Sequence, residues 1–593
     1  MSVYLIHGIC AKQITLSHTL RVAQEVTNSK SGLRISNSDF KWVYSSYRNE
    51  TDLRSSSSEK NRLYDVYNKG NNNGFIIIAA DDVAYPVIGY TNEGNYEDGA
   101  LPPNFKNWME GVEKTIGRAI ENQLLPSESV REAWNAYLSG QTAKLRSFSA
   151  TGPLVQSKWN QTAPYNDLCP VYSGNSKSTT GCVATTMAQI LQYYRHPASG
   201  IRNTDSYITT THGLPIPSLD LSHQTYNWNI MYNTTGDLLA SPEAQAEVAK
   251  LMYHCAVGIY TDFGFDSGAY LYDAADALVY YFGYDASMRQ LYRGYYNYEE
   301  WTKLIIDELN VNRIIFYSGT NAQSGHSFVC DGSDDTGLFH FNWGWGGLAD
   351  GYYAIDALNS GNAGTPGGNG TYNEGQEMII NIKPNVGGQP AFDIVMGPDN
   401  GISSATPITK QNSVFEVEAS FWNIGYGTFD GFLGIILTDL NGQFIESISP
   451  PVGAVSIDYT YGYFEEMIPC KISANVPDGD YLIKAAIMPW GTSAWIPISA
   501  DAYKGHARQL LIKVDHAADI QTVVRENSIY FSGNQLYVNT PVAEKISLYS
   551  AAGELLYQTQ KPMGRKTLSI DKIQNQVLLI KGSSGWAKKL ILK

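Results

Sequence analysis

The hydrophobic periodicity of this chain changes near Gln389, and that change limits the folds open to it. Before this point apolar residues recur at helical spacing from Cys182 onward, and strand patterns follow, for example at residues 313–317. After it, short alternating segments are separated by turn residues, and none has a helix-length period. The pattern predicts an α+β part followed by all-β units.

The size and composition are typical of a multidomain globular protein. At 593 residues the chain exceeds the size at which a single hydrophobic core stops growing, so several domains are expected. Hydrophobic residues make up 43% and charged residues 17%, which argues against disorder. The 41 tyrosines and 54 glycines favour a β-rich architecture with many turns.

Charge and cysteine content exclude several classes of partner. The formal net charge is −15 and no run of lysine or arginine interrupts it, so we expect neither nucleic acid nor an anionic membrane as a partner. No apolar run reaches the roughly 20 residues that a transmembrane helix needs. The six cysteines are widely spaced and include no CxxC pair, so we expect no disulfide framework, no metal and no cofactor.

The first part of the chain divides into a short leader and one folded unit. Residues 1–13 include an apolar stretch that ends in small residues, as the remnant of a signal peptide would; an ordinary first strand is the alternative. Residues 14–148 are predicted to contain a helix, two paired strands and two more helices. The polar stretch 139–151, with Lys144 and Arg146 among small residues, is predicted to be a linker and a processing site.

Three further domains are predicted. Residues 149–385 carry helices first and strands later, which indicates an α+β domain. Within it segment 359–375 is predicted to be a mobile loop, because it is too glycine-rich to hold a fixed shape unaided. It lacks the spacing of a phosphate-binding loop, so no nucleotide site is expected there. Residues 386–515 are predicted to form an immunoglobulin-like β-sandwich, and residues 516–593 a small all-β domain.

Cys182 is the strongest candidate for a reactive side chain. It opens a predicted helix, where unpaired N–H groups and the helix dipole favour a thiolate, and Gly181 before it leaves room for a substrate backbone. Its own amide could then stabilise an oxyanion. A small buried hydrophobe is the alternative for any single cysteine, and Cys255 and Cys330 fit that description.

A nucleophilic cysteine needs a histidine base and a group that orients it. His326 follows Cys182 by 326 − 182 = 144 residues, within the roughly 130 to 150 residues found in papain relatives, and Asn342 follows His326 by 16. The local papain signature around the cysteine is absent. His340, two residues before Asn342, is an equal competitor, and spacing alone does not choose between the two histidines.

Four blocks of sequence carry a specific resemblance. They are WNQTAPYN from Trp159, GCVATTMAQI from Gly181, GHSFVCDG from Gly325 and HFNWGWGGLADGYY from His340. In this order they resemble the streptopain family of papain-fold cysteine peptidases. The resemblance implies a papain-like catalytic domain, hydrolysis of peptide bonds in protein or peptide substrates, and no cofactor.

The resemblance also implies roles for individual residues. Cys182 matches the nucleophile, His326 the general base, and Gln161 the side-chain oxyanion donor. Asn342 and Trp343 match the residues that orient and shield the imidazole, whereas His340 falls on a position without a chemical role. The looser matches to positions that line the substrate cleft are Ser267, Gly268 and Gly325.

For the remaining domains the resemblance implies a secreted bacterial zymogen. Residues 14–148 are similar to the family's inhibitory propeptide, cut between Leu138 and Thr151, and segment 359–375 to a mobile flap. The added β-domains are typical of longer members of the family. Residues 516–593 resemble the sorting domain of type IX secretion substrates, which implies secretion or attachment to the cell surface.

Two other functions remain open from the sequence. An acyl transferase could use the same cysteine and histidine with an amine in place of water. A surface adhesin could combine binding β-domains with an inert peptidase domain. Against the adhesin, all four blocks keep the residue types that the chemistry needs.

Overall fold

The structure of the chain is a computed structural model. It describes residues 12–31, 39–48, 62–145, 149–320, 325–356, 375–397, 400–450 and 454–516. Further along it describes residues 528–532, 535–540, 544–550, 555–561, 564–569, 577–583 and 587–591. Most of the predicted leader and flap therefore lies outside the described residues.

The described residues contain eight α-helices. They are α1 (Leu16–Ser31), α2 (Pro103–Glu121), α3 (Glu128–Ser139), α4 (Cys182–Tyr194), α5 (Thr235–Leu239), α6 (Pro242–Gly258), α7 (Leu271–Tyr280) and α8 (Tyr298–Leu309). Local sequence sets their ends: Ser127 caps α3 by accepting from Val130 N–H, and Asn297 and Glu300 form a capping box at α8. None of these helices combines the length and apolar character needed to cross a membrane.

Fourteen strands belong to the first two predicted units. They are β1 (Phe40–Tyr47), β2 (Arg62–Lys69), β3 (Phe75–Ala79), β4 (Val87–Tyr90), β5 (Val171–Ser173), β6 (Ser176–Lys177), β7 (Tyr207–Ile208), β8 (Pro215–Ile216), β9 (Arg289–Tyr292), β10 (Ile315–Thr320), β11 (Gly325–Ser333), β12 (Phe339–Asn342), β13 (Gly351–Tyr353) and β14 (Gly375–Ile380).

One ten-stranded sheet joins the two units. Its order is β1-β2-β3-β4-β13-β12-β11-β10-β14-β9, so strands from residues 40–90 continue directly into strands from residues 289–380. The junction is antiparallel and pairs Tyr90 with Tyr352 and Gly89 with Tyr353. Strand β3 is buried along its whole length, which explains its continuous apolar sequence.

The first half of residues 149–385 is helical and packs on this sheet. Helix α4 lies against β11, α6 and α7, and the residues of its first three turns, Cys182 to Leu191, are all buried. Helices α4 to α7 precede strands β10 to β14, as the sequence pattern predicted. The predicted α+β class with added β-domains is confirmed.

The remaining strands form β-only units. They are β15 (Ile394–Val395), β16 (Ile408–Thr409), β17 (Val414–Asn423), β18 (Phe429–Thr438), β19 (Phe444–Ser447), β20 (Val455–Ile457), β21 (Gly462–Lys471), β22 (Gly479–Pro489), β23 (Ile496–Pro497), β24 (Leu510–Val514), β25 (Ser528–Ser532), β26 (Gln535–Thr540), β27 (Glu544–Ser550), β28 (Leu555–Lys561), β29 (Gly564–Ser569), β30 (Val577–Gly582) and β31 (Ala587–Ile591).

Strands β15 to β24 form two sheets around one core. A three-stranded sheet, β15-β17-β21, faces a larger sheet built on β16-β24-β22-β18-β19, and their inner residues share one hydrophobic cluster. Strands β25 to β31 form two small sheets, β25-β26-β29 and β28-β27-β30-β31.

The sandwich is docked onto the catalytic region by specific contacts, here called the docking interface. Arg289 pairs with Asp393 at 3.0 Å, and Arg508 donates to the carbonyl of Gly294 at 2.7 Å. Tyr295 packs with apolar sandwich residues in a small cluster of its own. The sandwich therefore has a defined position beside strand β9.

Candidate active site

Cys182 is the first residue of α4, and Gly181 before it has a conformation that only glycine adopts freely. Gly181 has φ of 86°, and a Cβ at this position would lie 2.9 Å from the carbonyl oxygen of Ser267. The close approach of the Ser267 loop therefore requires glycine. Cys182, which follows this glycine, has 9% of its surface exposed.

The thiol of Cys182 is held protonated in the full-length chain. Burial raises its pKa, and hydrogen bonds from the backbone amides of Ser327, Val183 and Cys182 itself offset only part of that effect. The amides of Val183 and Cys182 are the helix-terminal donors that the sequence predicted. The bond from Ser327 also shows that β11 runs directly past the sulfur.

His326 lies on β11, next to Ser327, and its ring is bonded to the N-terminal region. Asn107 on α2 donates through Nδ2 to Nε2 of His326 at 2.6 Å. Burial lowers the pKa of His326, and the charge of Asp266 raises it in part. The imidazole is therefore neutral, and among the described residues no hydrogen bond joins it to Cys182.

Gln161 is tied to the chain just before Cys182. Its carbonyl accepts from Thr180 N–H at 3.0 Å, and its amide N–H donates to Asn160 Oδ1 at 2.7 Å. The residue is 5% exposed, yet its carboxamide makes no hydrogen bond within the part of the chain that the structure describes. A buried amide with open donors can bind an oxyanion.

Asn342 makes its hydrogen bonds away from His326. Its Oδ1 accepts from Gln189 Nε2 and from Gly344 N–H, both at 3.1 Å, and its Nδ2 donates to the Ser157 carbonyl at 2.7 Å. These bonds fix the end of β12 to the second turn of α4. The role of orienting the imidazole, implied by the resemblance, stays a prediction for the mature enzyme.

Trp343 is fully buried between the catalytic region and α2. Its ring centroid lies 4.5 Å from Phe328 and 5.9 Å from Phe105 of α2. Its backbone N–H donates to Asp350 at 2.9 Å, and its carbonyl accepts from Asn104 at 2.7 Å. Helix α2 therefore covers this tryptophan.

His340 pairs with a buried carboxylate instead of approaching Cys182. Its Nδ1 lies 2.6 Å from Asp331 Oδ1, and Asp331 also accepts from the N–H of Val155. Burial opposes the charged imidazole, but the Asp331 carboxylate outweighs it and raises the pKa of His340. Ser327, the neighbour of His326, bonds to the Cys182 sulfur, and this position favours His326 over His340; the role of His326 as the base stays a prediction.

Of the three residues predicted to line the cleft, Ser267 and Gly268 lie on the loop that approaches Gly181, and Gly325 is the first residue of β11, next to His326. Ser267 donates to the Thr179 carbonyl at 2.8 Å and approaches Gly181, as described above. Gly268 is exposed and bridges back to Asp262, and nothing lies within 4 Å of the position where its Cβ would be. Gly325 is exposed beside His326 and pairs with Thr320.

Sequence reasoning missed two residues that shape this site. Asn107 holds the imidazole, and Gln189 links Asn342 to α4. The signal for Asn107 was present, since Asn104 and Asn107 lie three residues apart on the helix that also buries Trp108.

Among the described residues, one cluster could hold a metal. It consists of Asp478 and Asp515 of the sandwich and the adjoining His516.

Comparisons with known proteins identify two regions of the chain. Residues 159–353 match the Peptidase C10 family, and residues 11–116 match the Spi protease inhibitor family. Both Cys182 and His326 fall in the first region. Asn104 and Asn107, which bond the site, fall in the second.

Relatives share these regions. The thiol protease/hemagglutinin PrtT of Porphyromonas gingivalis is 33% identical over 326 residues, which are 54% of this chain and 37% of PrtT. Streptopain of Streptococcus pyogenes serotype M1 is 31% identical over 328 residues, which are 52% of this chain and 78% of streptopain. A solved fragment of Prevotella intermedia prointerpain A is 28% identical, with a TM-score of 0.44, covering 57% of this chain and 97% of the fragment.

The identity to streptopain over most of that protein's length, together with the two family matches, defines the class of this chain. The chain belongs to the streptopain family, peptidase family C10, and is a cysteine peptidase that carries a Spi-type inhibitor as its own propeptide.

Proposed function

We propose that this chain is a secreted endopeptidase zymogen in which Cys182 and His326 form the catalytic dyad once the propeptide has left. The observation that carries the proposal is the bond from Asn107 to Nε2 of His326 at 2.6 Å. The propeptide thus bonds a ring nitrogen of the proposed base, and this contact holds the imidazole in the latent enzyme. The bond from Ser327 to Cys182 supports the pairing of these two side chains.

The proposed mechanism uses only side chains of this chain. The Cys182 thiolate attacks the peptide carbonyl, and the oxyanion is stabilised by the Cys182 amide and the Gln161 carboxamide. Imidazolium at His326 gives its proton to the leaving amine. Water, deprotonated by the same imidazole, then releases the acid and regenerates the thiol.

The pairing of residues 149–155 narrows the proposed activation cut. Thr151 and Ser333 exchange two backbone hydrogen bonds of 2.8 Å, and Leu154 donates to the Asp331 carbonyl at 3.0 Å. This segment is therefore part of the catalytic unit. Within the predicted window from Leu138 to Thr151, we place the cut before Ser149.

We propose the division of the chain that its sequence pattern predicts, and the contacts of residues 151–154 support its boundary at Ser149. Residues 14–148 are the propeptide, 149–385 the catalytic domain, 386–515 the sandwich and 516–593 a sorting domain. Secretion and attachment to the bacterial surface are supported by the resemblance of the last domain alone. Fractionation of cells that express the chain with and without residues 516–593 would test this role.

A thiol-directed epoxide tests the dyad directly. We expect the reagent to label Cys182 in the activated enzyme and to abolish hydrolysis of casein in proportion, while the uncut zymogen reacts slowly. Asn107→Ala should raise the rate of labelling in the uncut zymogen, because it frees the imidazole. Asn122→Ala, at the exposed end of the same helix, is the matched control.

Peptide mapping by mass spectrometry identifies the labelled residue. Cys470, buried in the sandwich with its pKa raised to about 12 by burial, should stay unlabelled. Full activity of an enzyme whose Cys182 is completely labelled would contradict the proposal.

A further inference from the structure

A group of exposed aromatic residues, with one aspartate among them, extends from the Ser267 loop to the sandwich. This group, here called the tyrosine rim, comprises the aromatic residues Phe265, Tyr270, Tyr272 and Tyr459 together with Asp266. Phe265 is 71% exposed and Tyr270 is 68% exposed, and the rings of Tyr270 and Tyr272 stack with centroids 5.1 Å apart. Large exposed aromatic surfaces of this kind are typical of binding sites.

The near end of the rim belongs to the proposed active site. Ser267, which follows Asp266, approaches Gly181 so closely that only glycine fits there. Two backbone bonds between Asp262 and Gly268, of 2.8 and 3.3 Å, close the loop that carries Phe265 and Asp266. The charge of Asp266 also reaches His326, whose pKa it raises against the larger effect of burial. A substrate held at Cys182 therefore passes beside Asp266.

The far end of the rim belongs to the sandwich. Tyr459 is 37% exposed and packs on Tyr426 with ring centroids 4.8 Å apart. It lies near enough to Tyr272 of α7 to influence the pKa of that phenol. Because the docking interface holds the sandwich against the catalytic region, Tyr459 has a defined position relative to the cleft.

The charge along the rim is negative. Asp266, Asp273 and Asp276 lie on or beside it, and none of them forms an ion pair within the described residues. Burial, with Asp276 adding to it, raises the pKa of Asp273 to about 6. Carboxylates beside tyrosine rings favour a cationic ligand, because both groups attract ammonium and guanidinium ions.

We propose that the tyrosine rim is a substrate-binding surface that recognises an extended, lysine- or arginine-bearing stretch of a protein substrate on one side of the scissile bond. The proposal rests on the assignment of Cys182 and His326 as the dyad. It gives the sandwich a role in choosing substrates, since Tyr459 is part of that domain. A catalytic domain alone would lack this end of the surface.

Quenched fluorescent peptides of about 12 residues test the proposal on the activated full chain. All carry one scissile sequence, with two lysines placed on the acyl side, on the leaving-group side, or replaced by glutamine. We expect the parent to prefer one lysine placement over glutamine by about tenfold in kcat/KM, and added salt to reduce this preference. Asp266→Asn and Tyr459→Leu should each lower the preference about twofold to fivefold.

Phe444→Leu is the matched control, because Phe444 is 53% exposed on strand β19 of the same sandwich. It should keep the parent's preference. Equal hydrolysis of lysine and glutamine peptides by the parent would overturn the proposal, as would an unchanged preference in both rim variants or an equal loss in Phe444→Leu. Cys182→Ala separates the two ideas: if it still cleaves the glutamine peptide, the dyad is wrong, whatever the lysine preference shows.

Discussion

Gly181 and Asn107 set the chemical state of the site from opposite sides. Gly181 lets the Ser267 loop approach the start of α4, which places the Cys182 sulfur beside the amides of Val183 and Ser327. Asn107 occupies the nitrogen of His326. Burial raises the pKa of the Cys182 thiol and lowers the pKa of the His326 imidazole, and both effects favour the neutral forms; the ion pair that we propose for catalysis would then form after the propeptide leaves.

Gln161 should contribute to catalysis through the transition state. We expect Gln161→Ala to lower kcat by about 10² to 10³ with little change in KM, because the oxyanion develops only during reaction. Steady-state kinetics on a short peptide measure both constants. Gln192→Ala, on helix α4, is the control, and a change confined to KM in Gln161→Ala would refute this role.

Asp350 should make the stability of the chain depend on pH. Burial raises its pKa to about 7 from an ordinary value of 3.8, so the folded state retains a proton that the unfolded state releases. This contribution to stability is complete below about pH 4 and is lost as the pH rises to about 7.

Asp350→Asn keeps an acceptor for the Trp343 N–H but cannot ionise. We therefore expect the Tm of this variant, relative to the parent, to rise by roughly 2–4 °C or more between pH 4 and 8. Differential scanning calorimetry measures it, with the exposed Asp307→Asn as control. A constant difference across this range would show that the carboxyl is not responsible.

At the scale of elements, the propeptide is bound by one helix and one strand. Helix α2 covers Trp343 and reaches His326, while β4 continues the catalytic sheet through β13. The local patterns predict paired strands and two further helices within residues 14–148, and β4 and α2 are among the elements found there. The pairing of β4 with β13 could not be predicted, because periodicity indicates a strand but not its partner.

Removal of the propeptide should convert β13 into an edge strand. The N–H of Ala354 donates to the Ile88 carbonyl at 2.9 Å and would lose this partner. We expect hydrogen exchange in residues 351–354 to become at least about tenfold faster in the inhibitor-blocked mature enzyme than in the uncut zymogen. Strand β14, paired on both sides, is the control, and equal protection of β13 in both forms would mean that β4 stays bound.

For the whole molecule, the sequence predicted the order of α+β and β-only units but not how they contact each other. The change of pattern near Gln389 falls just before β15, the first strand of the sandwich. The docking interface depends on pairs of residues without a local pattern: Arg289 meets Asp393, 104 residues later, and Gly294 meets Arg508, 214 residues later, only in the folded chain. Asn107 was missed for the same reason, because its contact with His326 exists only in the folded chain. His326, in contrast, lies within one of the four blocks of sequence that carry the resemblance.

Gly294→Ala should weaken the docking of the sandwich. A Cβ at this position would overlap the carboxylate of Asp501 on the sandwich, so that side chain must leave its place in the interface. We expect calorimetry of the mature enzyme to show one main transition for the parent and two resolved transitions for the variant. Gly236→Ala, which has room for a Cβ, should behave as the parent does. A single unshifted transition in Gly294→Ala would show that the interface does not couple the domains.

The account depends most on the Cys182 thiol acting as nucleophile, and the mass of the recombinant chain over time tests it most directly. The parent should shorten from the full-length zymogen by loss of residues before Ser149 and gain activity on casein. Cys182→Ala should stay full length and inactive, and Cys470→Ala should mature as the parent does. Maturation and casein hydrolysis by Cys182→Ala at the parent's rate would contradict the account.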